Sequence, residues 1–278
     1  MPTENALLTI LVDKINNDTL VLPTLPAIAL KVRKTAEDPE VDLGKMADVI
    51  ALDPSLSARI IKLANSAYLS RAVKAESLQQ AVTRIGLVQI KNIATALAME
   101  QLFVSKNIVV KKYLNQVWDR TVKVVTYALA LFQHYKMTHR HGDLNADVMT
   151  LAALMHNIGI LPILTEAERH DDTFANPTFL NQAIQKLSGR IGGTITREWG
   201  FGEEFVQVAQ SWRDLKVQTD TVSYVDFVRL GAVAAGFFDA KRGSMIHIGL
   251  EKQILDDPDV FESEAFLAKV EQTKGVFG

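Results

Sequence analysis

Apolar side chains recur at helical spacing almost from end to end of this chain, and the period-two alternation of a half-buried strand is nearly absent. That pattern restricts the chain to an all-α fold. Leu25, Ile28, Ala29, Val32 and Ala36 stand at i, i+3, i+4, i+7 and i+11, the inward stripe of one helix, and Asp38-Pro39 breaks it. Asp42 can cap a following helix with Leu43, Met46, Ala47 and Ile50 on its apolar face, and Asp53-Pro54 offers a cap and a first-turn proline to the next. That next helix presents Leu56, Ile60, Leu63 and Ala67. Ser77 with Gln80 has the spacing of a capping box ahead of Leu78, Ala81, Val82 and Ile85, and Gly86 is a natural stop before Leu87, Ile90, Ala94 and Leu97. The first hundred residues therefore read as five or six short helices.

FVSKNIVVKK, residues 103–112, is less regular and suggests a junction between two lobes. A longer helix then carries Trp118, Val122, Val125, Leu129 and Phe132, and the polar HYKMTHRHGDLNAD reads as a loop. From Asp147, VMTLAALMHNIGIL is apolar nearly all round, which places a helix in the core. Asn176-Pro177 opens a helix with Phe179, Leu180, Ala183, Ile184 and Leu187 inward. GGTITREWGFG is expected to turn, and Glu203-Glu204 to begin a helix buried through Phe205, Val208, Ala209 and Trp212. Gly231, Ala235 and Gly236 are small enough for a neighbouring helix to approach, and a last helix is expected near residues 261–272.

Composition removes several function classes. At 278 residues, 48% hydrophobic and 22% charged, the chain can bury a large core and has nothing of the composition of disorder. A formal charge of -2 argues against nucleic acid and anionic lipid as partners. The absence of cysteine excludes disulfides, thiolate metal sites and thiol nucleophiles, and fits a reducing, cytoplasmic setting. Asp13 and Lys14 interrupt the apolar start, which reads as an amphipathic helix through Leu8, Leu11, Val12 and Ile15; no membrane span is expected.

LMHNIGIL, residues 154–161, raises the chemical question. A helical His followed by Asp is a common way to hold a catalytic metal, yet here Asn157 follows His156. Other tempting features reduce to structure. His139-Arg140-His141 places a cation between two imidazoles in a polar loop, Gly189, Gly192, Gly193, Gly200 and Gly202 follow no strand, and Lys111-Lys112 and Lys31 to Lys34 read as solvated helix faces. The short helices over residues 42–68 could imitate a DNA reader, but carboxylates are interspersed through them. Trp118, Trp199 and Trp212 stand at core-facing spacings.

Leu25-Pro26-Ala27, the turn Asp53-Pro54-Ser55-Leu56, the segment Leu63-Ala64-Asn65-Ser66-Ala67 and Ala81-Val82-Thr83-Arg84-Ile85-Gly86 occur in the order found in the HDOD family, the HD-related output domains of bacterial signalling proteins. The chain resembles that family over residues 18–215. The resemblance implies a two-lobed, HD-domain-like helical bundle. Its lobes would span about 18–105 and 113–215, with residues 216–278 a helical extension packed on the second.

In catalytic relatives an early His, a His-Asp pair and a late Asp hold one or two divalent metals. The matching positions here are Arg120, the pair His156 and Asn157, Ser188 where a further His often stands, and Leu230-Gly231-Ala232. An amide oxygen is a much weaker ligand than a carboxylate, and Arg120 adds a permanent cation. Asp119, one residue away, points elsewhere because a helix turns about 100° per residue.

The expectation is a non-catalytic signalling module with no metal, cofactor or catalytic residue. It would act on protein partners in trans, among them two-component or cyclic-di-nucleotide signalling proteins, and its interaction surface is placed at Asn65, Ser66 and Tyr68. Two alternatives stand beside it: a metal-dependent phosphohydrolase of nucleotides or other phosphoesters centred on His156, and a nucleic-acid-binding regulator.

Overall fold

In the computed structural model, residues 6–66, 69, 73–139, 143–170 and 177–274 are described, and among them every regular element is a helix. The first lobe contains α2 (Ala27–Ala36), α3 (Leu43–Ile50), α4 (Pro54–Ala64), α5 (Leu78–Ile85) and α6 (Leu87–Ala98). Their boundaries are set by local chemistry. Asp42 Oδ1 accepts the Lys45 N–H at 2.7 Å, and Asp53 Oδ1 accepts that of Leu56 at 3.0 Å with Pro54 in the first turn. Gly86, at φ 91°, ends α5 and begins α6 in a conformation that suits glycine. Ser77 Oγ accepts from Gln80 N–H as expected, but Gln80 Oε1 reaches the N–H of Glu76 rather than closing the box on Ser77.

The second lobe is built on α7 (Ile108–Thr138), with α8 (Ala146–Met155), α9 (Ile160–Glu168), α10 (Pro177–Glu198), α11 (Glu203–Ser211) and α12 (Tyr224–Ala234). Helix α12 lies along α7, where a Cβ on Gly231 would come within 2.8 Å of Ala128 N and 2.9 Å of Val124 O. Helix α6 packs on α8, so the lobes share one continuous core. Asn92 Nδ2 donating to Asp147 Oδ2 at 2.8 Å and Trp199 Nε1 donating to Pro23 O at 3.0 Å tie them further. At the ends of the chain, α1 (Ala6–Asn16) packs on α9 and α10, and α14 (Glu264–Lys274) on α7; α13 (Arg242–Glu251) lies beside α12. Lys14 Nζ meets buried Glu166 Oε1 at 2.7 Å; burial pushes the Glu166 pKa up, but Lys14, Arg169 and His170 outweigh it and hold it below the ordinary value.

Several boundaries differ from those read in the sequence, each for a physical reason. Helix α7 starts inside the supposed junction because Asn107 Oδ1 accepts the N–H groups of Val109 and Val110, and it runs on through the polar residues to Thr138. Residues 146–168 are apolar and long enough by composition to cross a membrane; 89% of an 18-residue apolar window within them is buried in the protein, and a turn at residues 156–159 divides the segment. Gly192 and Gly193 do not turn the chain but continue α10 to Glu198. Helix α11 crosses α10 closely here: a Cβ on Gly189 would lie 2.4 Å from Gln210 O, one on Gly192 3.1 Å from Ala209 O, and one on Gly193 2.8 Å from the Gln210 side chain. Helix α13 has few inward residues, chiefly Met245 and Gly249, and so shows no periodic stripe.

Candidate functional site

The turn dividing α8 from α9 carries His156 and Asn157 to the floor of a cleft of about 520 Å³ in the second lobe. Helix α7 forms one wall with Arg120, α10 another with Leu180 and Ile184, and the segments after α11 and α12 close it with Trp212, Arg213, Phe237 and Phe238. Gly159 is what allows this arrangement. A Cβ there would lie 1.9 Å from Ser188 O, so α10 can cross the turn only over a bare backbone.

Both floor residues are buried. His156 Nδ1 donates to the carbonyl of Ala153, which assigns the tautomer, and the ring stands edge-on to Trp212 with centroids 4.5 Å apart. Burial drives its pKa from 6.5 down to about 3, the Arg213 charge adding to the effect and the Ala153 bond opposing it, so the imidazole is neutral at physiological pH. Asn157 Oδ1 accepts a hydrogen bond from Arg213 Nη2 at 2.9 Å. The Arg213 guanidinium lies 4.2 Å from the Trp212 ring centroid, and its Nε is buried without a partner. Burial, reinforced by Arg120, lowers the Arg213 pKa to about 10, which still leaves it charged at neutral pH.

The two-residue segment that carries this chemistry is held from behind. Arg229, on α12 and fully buried, donates through Nη2 to Ser211 O at 2.8 Å and Asp214 O at 2.7 Å, the carbonyls flanking Trp212 and Arg213. Across the cleft, Phe238 adopts a left-handed backbone at φ 64°, ψ 32°, and sets its ring 5.8 Å from that of Trp212. That conformation is rare for a bulky residue, and here it aims an aromatic ring at the cleft.

Of the positions singled out in the sequence, Arg120, His156 and Asn157 converge on this cleft. Arg120 is exposed, with its guanidinium 5.8 Å from the Phe237 ring centroid; the cation touching Asn157 is Arg213 instead. Ser188 does not line the cleft; its Oγ is buried without a partner where α10 crosses the turn. Gly231 serves helix packing, and Asp119 is exposed outside the cleft. Among the described residues no group of three or more His, Asp or Glu side chains converges.

Asn65 lies elsewhere and is committed internally. Its side chain accepts from Ala75 N and donates to Ala75 O, both at 2.8 Å, while Arg84 donates to its oxygen. Ser66 Oγ donates to Leu63 O, and Tyr68 lies outside the described residues, as do Arg140 and His141. His139 stacks on Tyr135.

In the sequence Trp212 has the spacing of a packing residue, and neither Arg213 nor Arg229 belongs to a motif. Arg229 had a usable signal: a lone cation inside the apolar run from Phe227 to Phe238 must be satisfied by buried acceptors.

The HDOD domain model matches residues 22–214. This chain belongs to the HDOD family. A crystal structure from Shewanella amazonensis SB2B, named "Putative metal-dependent phosphohydrolase", is 41% identical, covers 100% of both chains and superposes with a TM-score of 0.93. An HDOD domain protein of unknown function from Geobacter sulfurreducens shares the fold at 20% identity and a TM-score of 0.64, over 99% of this chain and 97% of that one. An uncharacterized protein of Treponema pallidum (strain Nichols) is 26% identical over 193 residues, 69% of this chain. The match spans only 35% of the treponemal protein's length.

Proposed function

We propose that this HDOD protein is a non-catalytic signalling module whose HD-type metal site is degenerate, and that it acts by docking to protein partners. The observation that carries the reading is the 2.9 Å hydrogen bond from Arg213 to Asn157 Oδ1. A metal at that position would need the same oxygen as an acceptor, and would sit against a guanidinium of like charge. The neighbouring imidazole is an inadequate substitute: it is the one conventional ligand at the position, and neither Asn157 nor Arg120 brings negative charge to it. Without a tightly held divalent ion nothing lowers the pKa of a bound water.

Partners of the two-component or cyclic-di-nucleotide signalling classes fit such a module. Cross-linking in native lysate followed by mass spectrometry would identify them. Cross-links that fall away as a large excess of unlabelled purified protein is added are expected from specific docking, and cross-links indifferent to that excess would count against it.

A second reading is favoured by the 41% identity to the Shewanella protein, which is named a metal-dependent phosphohydrolase: metal-dependent hydrolysis of a phosphoester. Elemental analysis of protein purified without chelator separates the two. The module reading expects less than stoichiometric Fe, Mn, Zn or Mg and no hydrolysis of phosphoester substrates with added metal. Stoichiometric metal lost in His156→Ala, with matching loss of hydrolysis, would establish the enzyme.

A further inference from the structure

Among the described residues, two cations and no acid line the cleft. Arg213 and Arg120 line it, none of its lining residues is Asp or Glu, and among the described residues neither arginine forms a salt bridge. This is an unusual arrangement, because a largely buried cation is ordinarily paired with a carboxylate. The protein supplies the opposite: Arg213 shares the cleft with a second guanidinium, that of Arg120, and its own Nε is buried with no acceptor. The carbonyl oxygen of Asn157 takes one N–H of the fork and fixes its plane, and Trp212 covers one face of it. The guanidinium so held lines the cavity with no acid among the described residues to neutralise it.

The other half of the cavity has a different chemistry. Phe237, Phe238 and Trp212 present rings, and Leu180 and Ile184 on α10 present aliphatic surface. Arg229 clamps the backbone on both sides of Trp212 and Arg213, so the charged end is rigid before any ligand arrives. A volume of about 520 Å³ falls within the range of small-molecule sites and exceeds what a bare inorganic anion would fill.

We propose that this cleft binds a small organic phosphate directly, without metal, its phosphoryl oxygens held by Arg213 and Arg120 and its planar or apolar body packed against Phe237, Phe238 and Trp212. A phosphoryl group is preferred to a carboxylate because its charge near -2 matches two guanidinium groups and its several oxygens can accept from both. The site rests on the reading of the HD position as guanidinium-filled, and gives the module an input: a ligand that bridges α7, the segment after α11 and the segment after α12 would stiffen the lobe. The bond of Arg213 to Asn157 also links ligand occupancy to the turn between α8 and α9.

The test is calorimetric titration of the full chain in EDTA with phenyl phosphate and with adenosine monophosphate, alongside adenosine and inorganic phosphate. Saturable binding of at least one organic phosphate is expected, with adenosine and inorganic phosphate each at least about tenfold weaker because each satisfies only one half of the cleft. Arg120→Gln, at an exposed position, should weaken binding about tenfold, and Arg213→Lys, which keeps the charge but loses the planar fork, by about ten- to a hundredfold. Circular dichroism melts of both variants keep the comparison valid; should Arg213→Lys fail to fold, Arg120→Gln alone decides. No binding of either organic phosphate in EDTA at millimolar concentration overturns the proposal, as does binding unchanged by Arg120→Gln. Hydrolysis of the bound phosphate on adding Mn would overturn the non-catalytic reading while leaving metal-free binding intact.

Discussion

Gly159→Ala separates packing from backbone preference with unusual clarity. Gly159 has φ -67° and ψ -6°, ordinary right-handed geometry that alanine adopts freely. On backbone grounds the substitution should stabilise the protein by about 0.4–1 kcal/mol through the unfolded chain. The tertiary structure reverses that sign. The new Cβ would stand 1.9 Å from Ser188 O, 2.6 Å from Gly192 N and 2.9 Å from Ser188 C, all backbone atoms that cannot rotate away. Ordinary contact begins at 3.4 Å, so the turn and α10 would have to part by 3.4 minus 1.9, about 1.5 Å. Forced separation of this kind costs about 3 kcal/mol. For a chain of this length that corresponds to a melting temperature lowered by roughly 5 °C. The same displacement carries Asn157 away from Arg213, so their hydrogen bond should lengthen or break. Gly243→Ala is the control: it lies in α13 with open space around the new methyl and should melt at or above the wild-type temperature. Differential scanning calorimetry of both variants is sufficient. A Gly159→Ala protein as stable as wild type would mean that α10 does not cross the turn at this distance, and the geometry of the cleft floor would fall with it.

Three further outcomes follow from buried charge. His156 is neutral when folded down to about pH 3 but protonates near 6.5 when unfolded, so its contribution is complete above pH 6.5 and is lost as pH falls toward 3. Each pH unit below 6.5 should remove about 1.4 kcal/mol, roughly 2 kcal/mol by pH 5, and urea titrations of His156→Gln should lack this component; equal pH slopes in the two proteins would refute it. Arg229→Met removes the charged donor that Ser211 O and Asp214 O share, leaving each only its backbone donor, and should lower stability by about 2–3 kcal/mol while loosening the Trp212 segment, seen as faster amide exchange over residues 211–214; unchanged exchange there would exclude a clamp. The buried Asp226 carboxylate receives Lys252 Nζ at 2.9 Å and also closes a capping box with Ser223. Lys252→Met should therefore cost about 3–5 kcal/mol by leaving the acid unpaired, and adding Asp226→Leu should recover part of that loss; a double variant worse than the sum of the singles would contradict it.

The sequence by itself determined the helical class, most helix starts and the family, because these depend on interactions within four residues: a stripe of period 3.6, an Asp or Asn ahead of it, a Gly after it. Asp42, Asp53 and Gly86 act as their local chemistry required. It also placed Arg120, His156 and Asn157 as positions that belong together, through resemblance rather than spacing. Only the tertiary structure decided what they form. Arg213 lies 56 residues beyond Asn157, and the hydrogen bond between them exists because α11 delivers its last turn to the cleft while Arg229 holds it there. The same long-range packing decides that Gly192-Gly193 continues a helix: glycine's local preference for a turn yields where another backbone comes within van der Waals contact. Contacts of this kind join residues with no fixed separation along the chain, so no periodicity records them.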